Sequence, residues 1–169
     1  VQDRPTLIWA ANLAAIELHV PLWHVGRRRP LPGRTDHMVF DLDPGPGADF
    51  EKVRAVALHV RDILEHLGMT AYAKTNGSKG IHVYIPIKHG PLQKDVWTFA
   101  KAIAIELESR FPKLITAEYR KVNRPHGRVL VDYNQNAWGR TLASIYSVRP
   151  TPFAGVSTPV TWEEVDAGV

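Results

Sequence analysis

Hydrophobic residues in this chain follow helical spacing in some segments and extended spacing in others. Apolar positions three and four residues apart predict two long helices, 50–67 and 92–110, the first with Asp49 as its N-cap and Gly68 at its end. Apolar runs rich in β-branched residues predict strands. These runs cover residues 38–43, 70–74, 81–87, 114–118 and 128–133.

The predicted elements follow the order strand, helix, strand, strand, helix, strand. This order is typical of a ferredoxin-like or split βαβ layer, so we expect an α+β fold in a single domain, 1–169. A further helix is predicted over 6–16, followed by an extended segment at 17–20, and a short one over 162–165. Three apolar side chains are expected in the core, where truncation costs about 2–5 kcal/mol: Trp9, Leu64 and Phe99.

The composition excludes several classes of site. With 169 residues and 44% hydrophobic content, the chain can bury one core, and it contains neither a membrane-spanning run nor a signal peptide. The absence of cysteine excludes disulfides, thiolate zinc sites and cysteine nucleophiles, and agrees with a cytoplasmic protein. The eight histidines show no zinc-binding spacing, so any metal would be held mainly by carboxylates.

The charge of the chain favours a polyanionic partner. Its formal net charge is +4, with a pI near 9.5, and lysine and arginine neutralise phosphates. The basic residues form two clusters, either of which could instead be a solvated loop. The first contains Arg27, Arg28 and Arg29, and the second contains Arg120, Lys121, Arg124 and Arg128.

Two acidic residues end the strand predicted at 38–43. In a strand Asp41 and Asp43 point to the same face, roughly 7 Å apart at about 3.3 Å of rise per residue. Carboxylates so placed either lie in solvent at a strand end or share a cation such as Mg²⁺ or Mn²⁺, which prefers oxygen ligands. Asp132 ends another apolar strand and is the candidate third carboxylate.

The turn Gly77-Ser78-Lys79-Gly80 is a candidate phosphate-binding segment. Its small residues leave backbone N–H groups accessible, and Lys79 adds a positive charge. His82 follows at the start of the next strand, where it could donate to a phosphate oxygen. The spacing is not that of a P-loop. The alternative is an ordinary turn followed by a core histidine.

Three motifs in order resemble those of the archaeo-eukaryotic primase superfamily, and most closely the polymerase domain of bacterial DNA ligase D and its stand-alone primase-polymerase relatives. The motifs are Asp41-Leu42-Asp43-Pro44, Ser78-Lys79-Gly80-Ile81-His82 and Val131-Asp132-Tyr133-Asn134-Gln135-Asn136. The similarity extends from 7–12 to 147–150. The resemblance implies the catalytic core of a primase-type polymerase, and this chain is expected to be the C-terminal catalytic portion of such a domain.

The resemblance also implies roles for individual residues. Asp41, Asp43 and Asp132 would be the catalytic carboxylates, binding two divalent ions, Mn²⁺ or Mg²⁺. The remaining implied contacts are with a nucleoside triphosphate. Ser78, Lys79 and His82 would hold its phosphates, His19, Arg149 and Gln135 would lie near it, and Asn76 stands where many relatives have Ser.

The implied activity is nucleotidyl transfer, in which nucleotides are added to a primer 3′-hydroxyl during DNA end joining or gap filling, with a ribonucleotide bias. The implied partners are primer-template DNA or broken ends, nucleoside triphosphates, linked ligase and nuclease domains, and an end-binding protein such as Ku. The implied location is the bacterial cytoplasm, at the nucleoid. Because the relatives carry a further N-terminal part, this chain alone is expected to bind DNA less tightly than they do.

Two other functions fit the residues less well. A metal-dependent nuclease or phosphohydrolase would also use clustered aspartates and a basic face, but would degrade DNA or nucleotides instead of incorporating them. A non-catalytic nucleic-acid-binding module would present aromatic residues on its strands. The corresponding positions here are Asp41, Asp43 and Asp132, and acids repel phosphate unless metal ions lie between them.

Overall fold

The computed structural model describes residues 3–23, 34–88 and 90–169. Its helices are α1 Arg4–Asn12, α2 Phe50–His66, α3 Gln93–Arg110 and α4 Trp162–Ala167. Its strands are β1 His19–Pro21, β2 His37–Pro44, β3 Tyr72–Thr75, β4 Ile81–Pro86, β5 Ile115–Thr116, β6 Val129–Asp132, β7 Thr141–Ala143 and β8 Pro159–Val160. In these ranges no helix is both long and apolar enough to cross a membrane.

Side-chain caps mark the start of α1, α2 and α4. As predicted, the carboxylate of Asp49 accepts a hydrogen bond from the backbone N–H of Lys52 at the start of α2. The short helix α4 begins with a capping box between Thr161 and Glu164. Gly68 follows α2 with φ +70°, a conformation that glycine adopts without strain.

Six strands form the main sheet, in the order β5-β6-β2-β4-β3-β8. Every neighbouring pair is antiparallel except β5 and β6, which are parallel. The central order β6-β2-β4-β3 is that of the predicted ferredoxin-like layer, and it confirms the α+β fold class. A separate two-stranded sheet, β1-β7, here called the small sheet, was not predicted.

The alternation of residues along β2 gives the main sheet two different faces. Phe40 and Leu42 are fully buried in the core, which also contains the inward faces of α2 and α3. Val39 points the other way and packs in a second cluster with Leu22 and Leu142. Asp41 and Asp43 share the face of Val39 because side chains alternate along a strand. The helices therefore cover one face, and the other face carries the acids.

Two of the three predicted core residues are not in the core. Leu64 is fully buried, as predicted, but Trp9 is 64% exposed and Phe99 is 43% exposed. In α1 only Ala10 is buried, and most of the apolar side chains of this helix lie at the surface. Phe99 lies at the rim of an open apolar cavity between α3 and the ends of two strands, and it does not point into the sheet.

Candidate active site

Four polar side chains form a row across the face of the main sheet opposite α2 and α3, here called the open face. Strand pairing places Asp132 opposite Asp41, Asp41 opposite His82, and His82 opposite Lys74. Directly paired residues in an antiparallel sheet point to the same face. All four residues are buried. The register thus brings together two predicted carboxylates and the predicted histidine, and adds a lysine that sequence reasoning did not select.

Asp43 lies one pleat further along β2, on the same face, and is only partly buried. Burial, with the nearby charges of Asp41 and Asp132, raises its pKa to about 6, against a smaller opposing effect of Arg124. Burial also raises the pKa of Asp132, although the backbone N–H of Asn134 donates to its Oδ1 at 2.8 Å. The site therefore holds more negative charge than its own donors compensate.

Asp41 has an oxygen that lacks a donor within the described part of the chain. Its buried Oδ1 lies 3.2 Å from Nε2 of His82, but the two atoms are not aligned as a hydrogen bond, and Nδ1 of His82 also has no partner there. Nε2 of Gln135 donates to Asp41 Oδ2 and to Asp132 Oδ2, at 3.4 Å each. A side-chain amide thus bridges the two carboxylates, a position that would suit a cation.

A metal ion would need these side chains to move closer together. Across residues 3–23, 34–88 and 90–169, no group of three or more His, Asp or Glu side chains is arranged so that it could hold a metal ion. The donor set nevertheless fits a hard divalent cation, since carboxylate oxygens are its preferred ligands. The metal site at Asp41, Asp43 and Asp132 stays a prediction.

The turn between β3 and β4 is closed by Asn76. Its Oδ1 accepts hydrogen bonds from the backbone N–H groups of Ser78, at 2.8 Å, and Gly80, at 3.0 Å. The prediction that backbone N–H groups of this turn are free to bind phosphate is therefore wrong for Ser78 and Gly80, because both N–H groups already donate to the side chain of Asn76. The side chains of Ser78 and Lys79 are exposed here, and their contact with a ligand stays a prediction.

Glycine is required at position 80 for steric reasons. A Cβ there would lie 2.4 Å from the carbonyl oxygen of Leu42 and 3.2 Å from Oδ1 of Asp43. The turn thus lies directly against the end of β2, and this contact places it beside the carboxylates.

A cleft of about 580 Å³ opens beside the turn. Asp43, Asn76 and Ser78 are among the residues that line it. Four basic residues also line it, Lys79, Lys121, Arg124 and Arg149. A triphosphate carries about four negative charges, and fixed cations of this kind stabilise such a group. The cleft therefore has the size and charge of an anion-binding site, and it reaches Asp43, one pleat along β2 from Asp41.

Arg149 and His19 are joined through Glu17. Oε1 of Glu17 lies 2.6 Å from Nε2 of His19 and 3.5 Å from Nη2 of Arg149. Arg149 reaches the cleft, whereas His19 is on β1, paired with Ala143 of β7. One carboxylate thus contacts two residues that are predicted to face the nucleotide, and Glu17 itself was not predicted as a site residue.

Not all of the arginines that were predicted to contact nucleic acid line the cleft. The guanidinium of Arg124 donates to the backbone carbonyls of Glu118 and Tyr119, at 3.1 and 2.9 Å, while lining the cleft. Arg128 is not among the residues that line this cleft; its carbonyl accepts a hydrogen bond from Gly45. The cluster of Arg27, Arg28 and Arg29 lies outside the described residues.

Comparison with known proteins agrees with the three motifs. A family model described as the LigD primase-polymerase domain matches residues 1–169. The chain belongs to the LigD primase-polymerase domain family. Membership in this family confirms the resemblance drawn from the motifs around Asp41, Ser78 and Asp132.

Relatives of this LigD domain are found in distant bacteria. The multifunctional non-homologous end joining DNA repair protein LigD of Mycobacterium tuberculosis H37Rv is 38% identical over 95% of this chain and 22% of that protein. The bifunctional non-homologous end joining protein LigD of Bacillus subtilis is 34% identical over 99% of this chain and 27% of that protein. The chain therefore spans only a minor part of these curated relatives.

A solved LigD structure has the same fold. It is the polymerase domain from Mycobacterium tuberculosis ligase D in complex with DNA, which matches with a TM-score of 0.87 and 37% sequence identity. The match covers 95% of this chain and 57% of that chain. The α+β architecture of the LigD polymerase domain is thus present in this chain.

Proposed function

We propose that this chain is a nucleotidyltransferase that adds nucleotides to a primer 3′-hydroxyl in the repair of broken or gapped DNA. The observation that carries this proposal is that the predicted carboxylates meet a cleft lined by basic residues. Asp41 and Asp132 are paired across two neighbouring strands, and Asp43 links them to a cleft lined by cations. Membership in the LigD primase-polymerase domain family supports the same reaction.

The three aspartates would hold two divalent ions, Mn²⁺ or Mg²⁺. Their fit rests on the donor-free Oδ1 of Asp41 and on the raised pKa values of Asp43 and Asp132, since each indicates a need for a cation. When bound, the ions would activate the primer hydroxyl and stabilise the charge on the leaving pyrophosphate. The amide of Gln135 would give up its bridging position to them.

The chain's own residues bind and orient the substrate. Lys79 and Arg149, which both line the cleft, neutralise the triphosphate, and Ser78 donates a hydrogen bond to it. His82 lies between Asp41 on β2 and Lys74 on β3, and its imidazole orients the reacting phosphate. The protein contributes positioning and electrostatic stabilisation, which account for most of the catalysis expected in phosphoryl chemistry.

The proposed partners are primer-template DNA or broken DNA ends, with nucleoside triphosphates as substrates. The relatives named above are non-homologous end joining proteins, and the solved relative was determined with DNA. On this basis we propose that the chain acts in end joining in the bacterial cytoplasm, at the nucleoid. Linked ligase and nuclease domains and an end-binding protein such as Ku complete the proposed assembly.

Primer extension tests the proposed function. The chain is incubated with gapped DNA, a ribonucleoside triphosphate and Mn²⁺, beside the variant Asp41→Asn/Asp132→Asn and the control Asp62→Asn on the outer surface of α2. We expect added nucleotides from the wild type and the control but none from the double variant. Shortened DNA or hydrolysed nucleotide without extension would instead support a nuclease or phosphohydrolase.

The replacement Lys79→Gln is expected to weaken nucleotide binding more than turnover. Lys79 is exposed at the cleft and contacts phosphate as a point charge, so its loss should raise KM for the triphosphate about tenfold. Steady-state kinetics would separate KM from kcat. The control is Lys113→Gln, at an exposed position between α3 and β5. An unchanged KM would contradict a role for Lys79 in phosphate binding.

A further inference from the structure

A buried lysine that does not line the cleft joins the main sheet to the small sheet. Lys74 is 3% exposed, and its Nζ donates to the backbone carbonyl of Ala143 at 2.8 Å and to Oγ of Ser157. Ala143 is the last residue of β7, and Ser157 lies in the segment between β7 and β8. One ammonium group therefore contacts two elements that are far from β3 in sequence.

The first contact leads to His19. Ala143, whose carbonyl accepts from Lys74, is paired with His19 across the small sheet. The backbone N–H of Ser144 donates to the carbonyl of Leu18 at 2.8 Å, which continues this connection. A shift of β7 away from Lys74 would therefore carry His19 with it.

The second contact leads to Arg149. Ser157 exchanges backbone hydrogen bonds with the neighbouring turn: its carbonyl accepts from Tyr146 at 2.7 Å, and its N–H donates to Ser147 at 3.0 Å. The N–H of Arg149 donates to Gly155 at 2.9 Å and closes the same loop. Lys74 thus fastens the base of the loop, here called the 144–158 loop, which carries Arg149 to the cleft.

Burial of the charged ammonium of Lys74 costs free energy, and packing alone would not require a charged side chain at this position. Burial lowers the pKa of Lys74 to about 8, an effect partly opposed by the charge of Asp41. Its ammonium has no carboxylate in direct contact among the ion pairs of the described residues. A methionine of similar length would fill the same space without a buried charge.

We propose that Lys74 is a positioning residue, which holds the small sheet and the 144–158 loop on the main sheet and so sets the places of His19 and Arg149 for nucleotide binding. This inference rests on the proposed function, since it concerns the same cleft. Lys74 acts through its two hydrogen bonds and does not contact the substrate.

Hydrogen exchange tests the connection itself, without any need for activity. In the variant Lys74→Met, the amides of Tyr146 and Ser157 should exchange faster, while that of Val83 in the core of the main sheet should not change. Leu64→Ala serves as the control, because it destabilises the core without touching the connection. Unchanged protection of Tyr146 and Ser157 in Lys74→Met would overturn the proposal.

A double-mutant cycle tests the consequence for nucleotide binding. Lys74→Met should raise KM for the triphosphate about tenfold to a hundredfold, as expected for a misplaced binding group, with kcat much less affected. On an Arg149→Gln background the same change should have a clearly smaller effect, because only its influence through His19 then remains. Additive effects of the two changes, or a fall in kcat alone, would overturn it.

The two experiments separate this inference from the proposed function. Wild-type protein that neither binds nor incorporates a triphosphate would contradict the proposed function, whatever the exchange data show. Normal incorporation by wild type and an unchanged KM in Lys74→Met would contradict the positioning role alone.

Discussion

Replacement of Asp43 by Asn is expected to abolish nucleotide incorporation and, in the absence of divalent ions, to raise the free energy of unfolding at neutral pH. Activity is lost because one of the three carboxylates proposed to bind metal is removed. Stability rises because Asp43 repels Asp41 and Asp132 and is partly buried, as its raised pKa indicates. The two effects therefore have opposite signs, as at many functional sites.

The direction of the pH dependence follows from the pKa of Asp43. Its pKa is raised from 3.8 to about 6, so the folded protein binds this proton more tightly than the unfolded chain. The stability cost of ionised Asp43 is therefore absent below about pH 4 and develops fully as the pH rises to about 6. At pH 7 it is on the order of 1–3 kcal/mol.

Denaturant unfolding with a chelator, at pH 4 and at pH 7, measures this effect. Asp43→Asn should exceed the wild type in stability at pH 7, and the difference should shrink at pH 4. The surface variant Asp62→Asn should show no such difference. Lower stability of Asp43→Asn at pH 7 would indicate a structural role for the carboxylate, and retained incorporation would remove it from the catalytic set.

The replacement Gly77→Ala is expected to weaken both folding and nucleotide binding, whereas Gly68→Ala weakens folding alone. Both glycines have positive φ, +75° and +70°, so alanine at either position costs about 1–2 kcal/mol. At Gly77 the added Cβ would also lie 2.8 Å from the backbone N of Ser157 and 2.8 Å from Cγ of Arg149. Near Gly68 it would meet nothing within 4 Å.

The matched pair isolates the contact between the turn and the 144–158 loop. Overpacking at Gly77 adds about 1–3 kcal/mol to the shared cost and displaces the turn or the loop that lines the cleft. Denaturant unfolding and calorimetric titration with a ribonucleoside triphosphate and Mn²⁺ would measure the two effects. Equal losses in both variants would show that this contact does not matter for binding.

Local patterns were sufficient to place the carboxylates on one face. Period-two alternation put Asp41 and Asp43 on the same side of a strand, and the hairpin turn placed His82 close behind the candidate phosphate-binding segment. Counting residues about that turn would also have paired Lys74 with His82, since the turn sets the register. Lys74 was missed because lysine in a strand is usually taken as a surface residue.

Long-range contacts were beyond local patterns. The link from Glu17 to Arg149 joins residues distant in sequence, and the strands β7 and β8 are too short, at three and two residues, to produce an apolar run. Trp9 was misplaced for a related reason. Its helix contains many apolar residues, but the face of a helix that is buried depends on neighbours that the sequence of the helix does not specify.

Because side chains alternate between the two faces along β2, the effect of an insertion in this strand depends on whether it adds an odd or an even number of residues. One residue inserted between Val39 and Asp41 would turn both acids toward α2 and α3, and would bury two carboxylates in an apolar core. Two residues inserted at the same point would return the acids to the open face, one pleat out of line with Asp132 and His82. Transfer of this site to another sheet therefore requires a matching strand parity and register, and not only the same residues.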